Sequence, residues 1–294
     1  MKEQCFGPVR FIPGENRGKY PFCHSVYIEG EGILIDPASD RDRLKRLSEK
    51  SGVREVWLSH WHEDHFMHLD LFDDLPLLMS EQDAPQLSDI ELFLDGYGIE
   101  KEEYRQAWRE IAASQFHFRP RRPTGFLQGG RQIGLEELTV DIIPTPGHTP
   151  GHLCFFFREP GVLFLGDYDL TPFGPWYGDR ESSIEDTIAS IERLRKIPAA
   201  IWLASHETGI FEENPADIWD QYLAVIEYRA SRLLDFLNQP RSMPEIVNEW
   251  IVYQRPREPQ DFYTMAEEMI IQKHLNLLIS ESAVVKEGGR YRRI

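Results

Sequence analysis

VREVWLSHWHEDH, residues 53–65, is the stretch on which the reading of this chain turns. Its first half carries Val53, Val56, Trp57 and Leu58 and reads as a buried strand over residues 53–59. Its second half places three histidines and an aspartate, His60, His62, Asp64 and His65, within six residues. Neutral imidazole and carboxylate are good ligands for zinc and similar divalent ions. Side chains leaving an extended segment can converge on one ion, and residues at the start of a following helix can reach a second. The metalloprotease pattern His-Glu-x-x-His is absent, because Phe66 stands where its second histidine would be.

Three further apolar runs end in the same way. Thr145-Pro146-Gly147-His148 follows a strand expected over 138–143, Gly166-Asp167 follows 162–165, and Ser205-His206 follows 199–204. In layered α/β sheets that edge is where sites form, because strand ends are rigid and open to solvent. Residues 32–36 and 153–157 read as further strands, and 40–50 as a helix stopped by Gly52. Residues 182–197 read as a helix with Ser182 and Glu185 in a capping box and Ile184, Ile188, Ile191 and Leu194 on one face. Together these predict an α/β layered fold.

The order His-x-His-x-Asp-His, then Gly-His-Thr-Pro-Gly, then Gly-Asp, then a late histidine resembles the metallo-β-lactamase superfamily over residues 22–212. The resemblance implies an αβ/βα four-layer sandwich with the site at one edge. It implies that His60, His62 and His148 bind one metal ion, that Asp64, His65 and His206 bind a second, and that Asp167 bridges them. Two divalent ions are therefore expected, zinc foremost, with manganese or iron as alternatives. Two cations about 3.5–4 Å apart hold hydroxide near neutral pH. Asp64, a ligand and also a proton acceptor for that water, is the expected catalytic residue. The ligand set is similar to that of hydroxyacylglutathione hydrolases, whereas some zinc β-lactamases use cysteine.

Residues 1–214 are expected to form the catalytic domain, with a helical insertion at about 81–123. Residues 215–294 read as a module of helices at 218–238, 243–253 and 262–280, closed by a strand pair, 283–286 and 290–294, around Gly288-Gly289. That tail resembles the winged helix of β-lactamase-like 2 type proteins, a group that includes ribonucleases and inferred thioesterases. Residues 217–294 hold twelve acidic and ten basic side chains, and the whole chain carries −17, so nucleic acid is an unfavoured partner.

The loop from Tyr168 to Asp179 follows the expected bridging aspartate. Tyr168, Phe173, Trp176 and Tyr177 are candidates for an apolar substrate wall, or else simply pack the loop. His24 and His68 are candidates for supporting the ligands, whereas His117, His152 and His274 read as structural. Gly30-Glu31-Gly32 lacks the third glycine of a dinucleotide fingerprint. Cys5, Cys23 and Cys154 form no CxxC pair, no long apolar run suggests a membrane span, and residues 1–20 lack the centre of a secretory signal. A cytoplasmic enzyme acting on a small molecule is expected, with a homodimer left open. The expected reaction is hydrolysis of a small ester, an acyl thioester before a lactone. The alternatives are a metal-dependent ribonuclease or phosphodiesterase, a persulfide dioxygenase with one iron, and a non-catalytic binding protein.

Overall fold

The computed structural model describes residues 1–50 and 52–294. Two sheets form its centre. The first joins β1 (Gln4–Phe6), β2 (Val9–Ile12), β3 (Ser25–Ile28), β4 (Ile33–Ile35), β5 (Glu55–Trp57), β6 (Leu77–Met79) and β7 (Gly125–Phe126) in that order. It is antiparallel up to β4 and parallel from β4 to β7. The second contains β8 (Gln132–Gly134), β9 (Thr139–Pro144), β10 (Leu153–Phe157), β11 (Val162–Phe164), β12 (Ile201–Leu203) and β13 (Ile210–Phe211). Only its β11–β12 pair is parallel.

Three apolar cores stack these sheets into four layers. Val9, Phe11, Val26 and Ile35 of the first sheet meet Val140, Ile142, Phe155 and Phe164 of the second. The other face of the first sheet packs on α1 (Arg41–Glu49) and, beyond the short α2 (Glu63–Phe66), on three helices between β6 and β7: α3 (Ala84–Ser88), α4 (Ile90–Tyr97) and α5 (Glu102–Gln115). The other face of the second sheet packs on α6 (Ile184–Leu194) and the start of α7 (Ala216–Phe236) through Ile191, Leu194, Trp219 and Tyr222. The result is the αβ/βα sandwich that the resemblance implies.

Two details of α6 differ from the expectation. Its N-cap is Ser183, whose Oγ accepts from the Asp186 N–H, and Ser182 instead donates to the carbonyl of His148. Ile188 is 38% exposed, and Thr187 and Ser190 are buried in its place. The segment after α7 forms α8 (Met243–Val247), shorter than the expected helix, and then α9 (Gln260–Ser280). A third sheet of β14 (Arg241–Ser242), β15 (Val284–Glu287) and β16 (Arg290–Arg293) follows, ordered β14-β16-β15. Its hairpin turns at Gly288 (φ 55°) and Gly289 (φ 77°), a two-residue loop that requires positive φ at both positions. Among the described residues, no helix is long and apolar enough to cross a membrane.

Candidate metal centre

His60 follows β5, His148 follows β9, Asp167 follows β11 and His206 follows β12, so four strand ends deliver the expected ligands to one sandwich edge. His62 is the residue before α2, and Asp64 and His65 lie inside it. The seven side chains fall into two groups, His60, His62, His148 and Asp167 in one, and Asp64, His65 and His206 in the other. Asp167 lies between them. Its Oδ2 is 3.3 Å from His148 Nε2, and its Oδ1 is 2.8 Å from His65 Nε2 and 3.3 Å from His206 Nε2. Asp64 Oδ2 is 3.5 Å from His206 Nε2.

Each histidine is oriented by an acceptor on its outward nitrogen. His62 Nε2 meets Asp179 at 2.7 Å, His148 Nδ1 the Trp176 carbonyl at 3.1 Å, and His65 Nδ1 Asp36 at 2.9 Å. His206 Nδ1 faces the carbonyls of Gly18 and Phe22 at 2.7 and 3.0 Å. His60 Nδ1 lies 2.9 Å from Ser59 Oγ, which is itself spent as a donor to Asp36. A nitrogen that donates outward leaves the other ring nitrogen of a neutral imidazole as a lone pair. In their neutral forms all five rings therefore aim a lone pair inward.

That convergence is the test of whether a cation fits. His60 Nε2, His62 Nδ1 and His148 Nε2 form a triangle of 3.0, 3.0 and 3.1 Å. Three lone pairs so placed repel unless something positive sits among them, and nitrogens sharing one zinc at 2.0–2.1 Å lie about 3.3 Å apart. His65 Nε2 and Asp167 Oδ1 are buried with no hydrogen-bond partner, because their close contact is not aligned as a hydrogen bond. The donor set suits a pair of divalent ions.

The electrostatics agree. Burial alone would lower His62 and His206, but Asp179 pushes His62 up to about 9, and Asp167 and Asp64 push His206 up to about 10. Burial takes His148 down to about 4. Burial would raise Asp167, yet the surrounding histidines hold it well below the usual carboxylate range, whereas burial keeps Asp64 above it. Protons thus supply positive charge that bound cations would replace.

Several residues of the site carry no local sequence signal. Asp36, at φ 51° after β4, accepts from the Ser59 N–H at 2.8 Å and from its hydroxyl at 2.7 Å, besides facing His65. His152, expected to be structural, is fully buried, with Nδ1 2.8 Å from Thr145 Oγ1 and Nε2 accepting from the Asp167 N–H at 3.2 Å. Buried Asp83 accepts from Thr149 Oγ1 and the Gly151 N–H, fixing the turn after His148. Buried Glu63 accepts from the phenols of Tyr20 and Tyr97, and the Tyr97 ring stacks on His62 at 5.2 Å.

The His24 backbone N–H donates to the carbonyl of Ser205, the residue before His206, at 2.7 Å. The His24 ring accepts from the Gly14 N–H at 2.8 Å and packs against Gly18, whose carbonyl orients His206. His68 departs from the expectation: its Nδ1 faces Arg41 at 3.2 Å and its ring faces His117, away from the seven ligands. Arg41 also makes a bidentate pair with Asp70. The four loop aromatics do not form one wall. Tyr168 and Tyr177 are fully buried, with hydroxyls spent on the Thr145 and Pro146 carbonyls and on His274. Trp176 donates to Asp179, and Phe173 packs on Tyr253.

The chain is similar to known proteins. The sequence model of the family described as "Metallo-beta-lactamase superfamily" matches residues 19–206. A lactamase-like protein from Aspergillus niger is 27% identical over 256 residues, 82% of this chain and 67% of its own length. An atrochrysone carboxyl ACP thioesterase from Paecilomyces divaricatus is 27% identical over 207 residues, 67% of this chain and 54% of its own. The chain thus spans about half to two thirds of these relatives. A solved metallo-beta-lactamase family protein from Thermus thermophilus shares the fold at a TM-score of 0.72 and 22% identity, covering 98% of this chain and 99% of its own.

Proposed function

The chain belongs to the metallo-beta-lactamase superfamily, and from that membership we propose that it is a two-metal hydrolase of a small ester, an acyl thioester in preference to a lactone. The observation that carries the reading is the convergence of five inward lone pairs on two groups with Asp167 between them. When bound, two divalent ions would activate water near neutral pH and stabilise charge on a reacting oxygen. His60, His62 and His148 would hold one ion, Asp64, His65 and His206 the other, with Asp167 shared.

The remaining steps belong to the protein. Asp64 is buried beside His65 and His206 at the centre, where its carboxylate stands ready to accept a proton from the attacking water. Asp167 and His206 expose 12% and 10% of their side chains, so substrate reaches the centre from their side. The half-buried Tyr97 stacks on His62 and begins a run of rings through Trp108 to the half-buried Phe262 at 5.9 Å and the exposed Tyr20, stacked on Phe262 at 6.1 Å. These rings suit an apolar acyl group better than a charged backbone. A relative named as an ACP thioesterase supports the thioester over other esters.

The test is hydrolysis of a medium-chain acyl-CoA and of a single-stranded RNA by metal-loaded protein, each beside an Asp64→Ala control. Thioester cleavage that vanishes in the control is the expected result. Cleavage of RNA alone would replace this reading with that of a nuclease.

A further inference from the structure

The outward partners of His62 and His148 are Asp179 and the Trp176 carbonyl, and both belong to residues 173–182, a segment in neither sheet nor helix. Such a segment needs an external frame to hold two ligands in register. The frame is the C-terminal helices. Arg229 of α7 donates to the carbonyls of Phe173 at 2.7 Å and Pro175 at 3.1 Å, and to the Tyr177 hydroxyl at 3.0 Å. Its guanidinium lies over the rings of Phe173 and Tyr177. Tyr177 in turn donates to His274 of α9 at 2.9 Å. Lys273 of α9 donates to the carbonyls of Arg180 and Ser182 at 2.8 and 2.9 Å, and the Ser182 hydroxyl donates to the His148 carbonyl at 2.6 Å.

The packing leaves little slack. Gly174 has φ 83°, and a Cβ there would lie 2.6 Å from Val225 of α7. Arg229 is 1% exposed, and among the described residues no carboxylate lies within 4 Å of its guanidinium. A buried guanidinium without an ion pair is costly, and here its Nη donors are directed to the segment behind the metal ligands while Nε is left without a partner. The second group is framed differently. The outward partners of His65 and His206 are Asp36, Gly18 and Phe22, none of them beyond residue 214.

We infer that the C-terminal helices complete one of the two metal positions: Arg229, Lys273, Tyr177 and His274 are positioning residues for His62 and His148. The inference rests on the two-metal reading, and its test separates the two. Zinc is titrated by calorimetry into metal-free wild type, Arg229→Met, Lys273→Met, Asp179→Asn and Asp36→Asn proteins, with folding checked by circular dichroism. Arg229→Met and Asp179→Asn should weaken the same one of two binding classes about tenfold to a hundredfold, the range for partners behind metal ligands. Combining them should add little further loss, because they act through one segment. Asp36→Asn should weaken the other class through His65 and also reach the first through Ser59 and His60, a pattern distinct from that of Arg229→Met.

A folded Arg229→Met that binds both ions like wild type overturns the inference, and so does equal weakening of both classes. If Arg229→Met does not fold, half-buried Lys273→Met is judged by the same two criteria. A wild type that takes up one ion, with affinity still lowered by Arg229→Met, would refute the two-metal reading and uphold the coupling.

Discussion

Each ring nitrogen at the centre is told which way to face by a group outside it. Asp36 and Asp179 do this with carboxylates, and Gly18, Phe22 and Trp176 with carbonyls. Asp64 has a different task, and Asp64→Asn should lower kcat by about 10²–10⁴, the contribution of a positioned base. Its circular dichroism spectrum should be unchanged. His152→Ala should free the Asp167 backbone and reduce affinity for both ions, read by competition with a chelator, because Asp167 stands between the two groups. The ligands themselves are visible in the sequence because they cluster at strand ends, as in the run from His60 to His65. Asp36, His152 and Asp179 are single polar residues far from one another in the chain, and only folding gives them a partner.

Among elements, sequence pattern carries the longer ones and loses the shortest. The apolar run of β10 is read at its full length, 153–157, and the three-residue β4, β5, β11 and β12 are read because each lies inside a longer apolar run, whereas the short β1, β2 and β13 are not read. On α6 the choice between Ser182 and Ser183 as N-cap is settled by tertiary contact, since His148 claims the Ser182 hydroxyl. The seam between α9 and residues 173–182 carries its own pH dependence. Burial takes His274 down to about 3, and its Nε2 accepts from Tyr177. The unfolded chain, with a histidine pKa of about 6.5, then binds more protons than the folded one between about pH 3 and 6.5. Stability is full above that window and falls by about 1.4 kcal/mol per pH unit within it. Chemical denaturation from pH 7 to pH 4.5 should show this loss together with that of the other buried histidines lowered by burial, and His274→Gln, which keeps an acceptor for Tyr177, should make the slope shallower by about one proton's share.

At the scale of the molecule, the two sheets hold ligands from residues 60 to 206 against one another, and the C-terminal helices close over the same edge. A layered α/β plan is legible in the alternation of strands and helices, and the four-layer arrangement follows only from the family resemblance. The dependence of the centre on residues beyond 214 is not, because Arg229 and Lys273 read as ordinary helix-surface charges until their carbonyl partners are seen. Ions that bind only the folded chain stabilise it by about 4 kcal/mol at a thousandfold excess over Kd. Chelation should therefore lower Tm by several degrees, recovered on adding metal back.

In the proposed reaction two ions act together on an ester. Its most direct test is the rate of acyl-CoA hydrolysis as metal is added to the metal-free protein in measured equivalents. Little activity is expected through the first equivalent and a maximum at two per chain. Full activity at one equivalent, unchanged by the second, would contradict it.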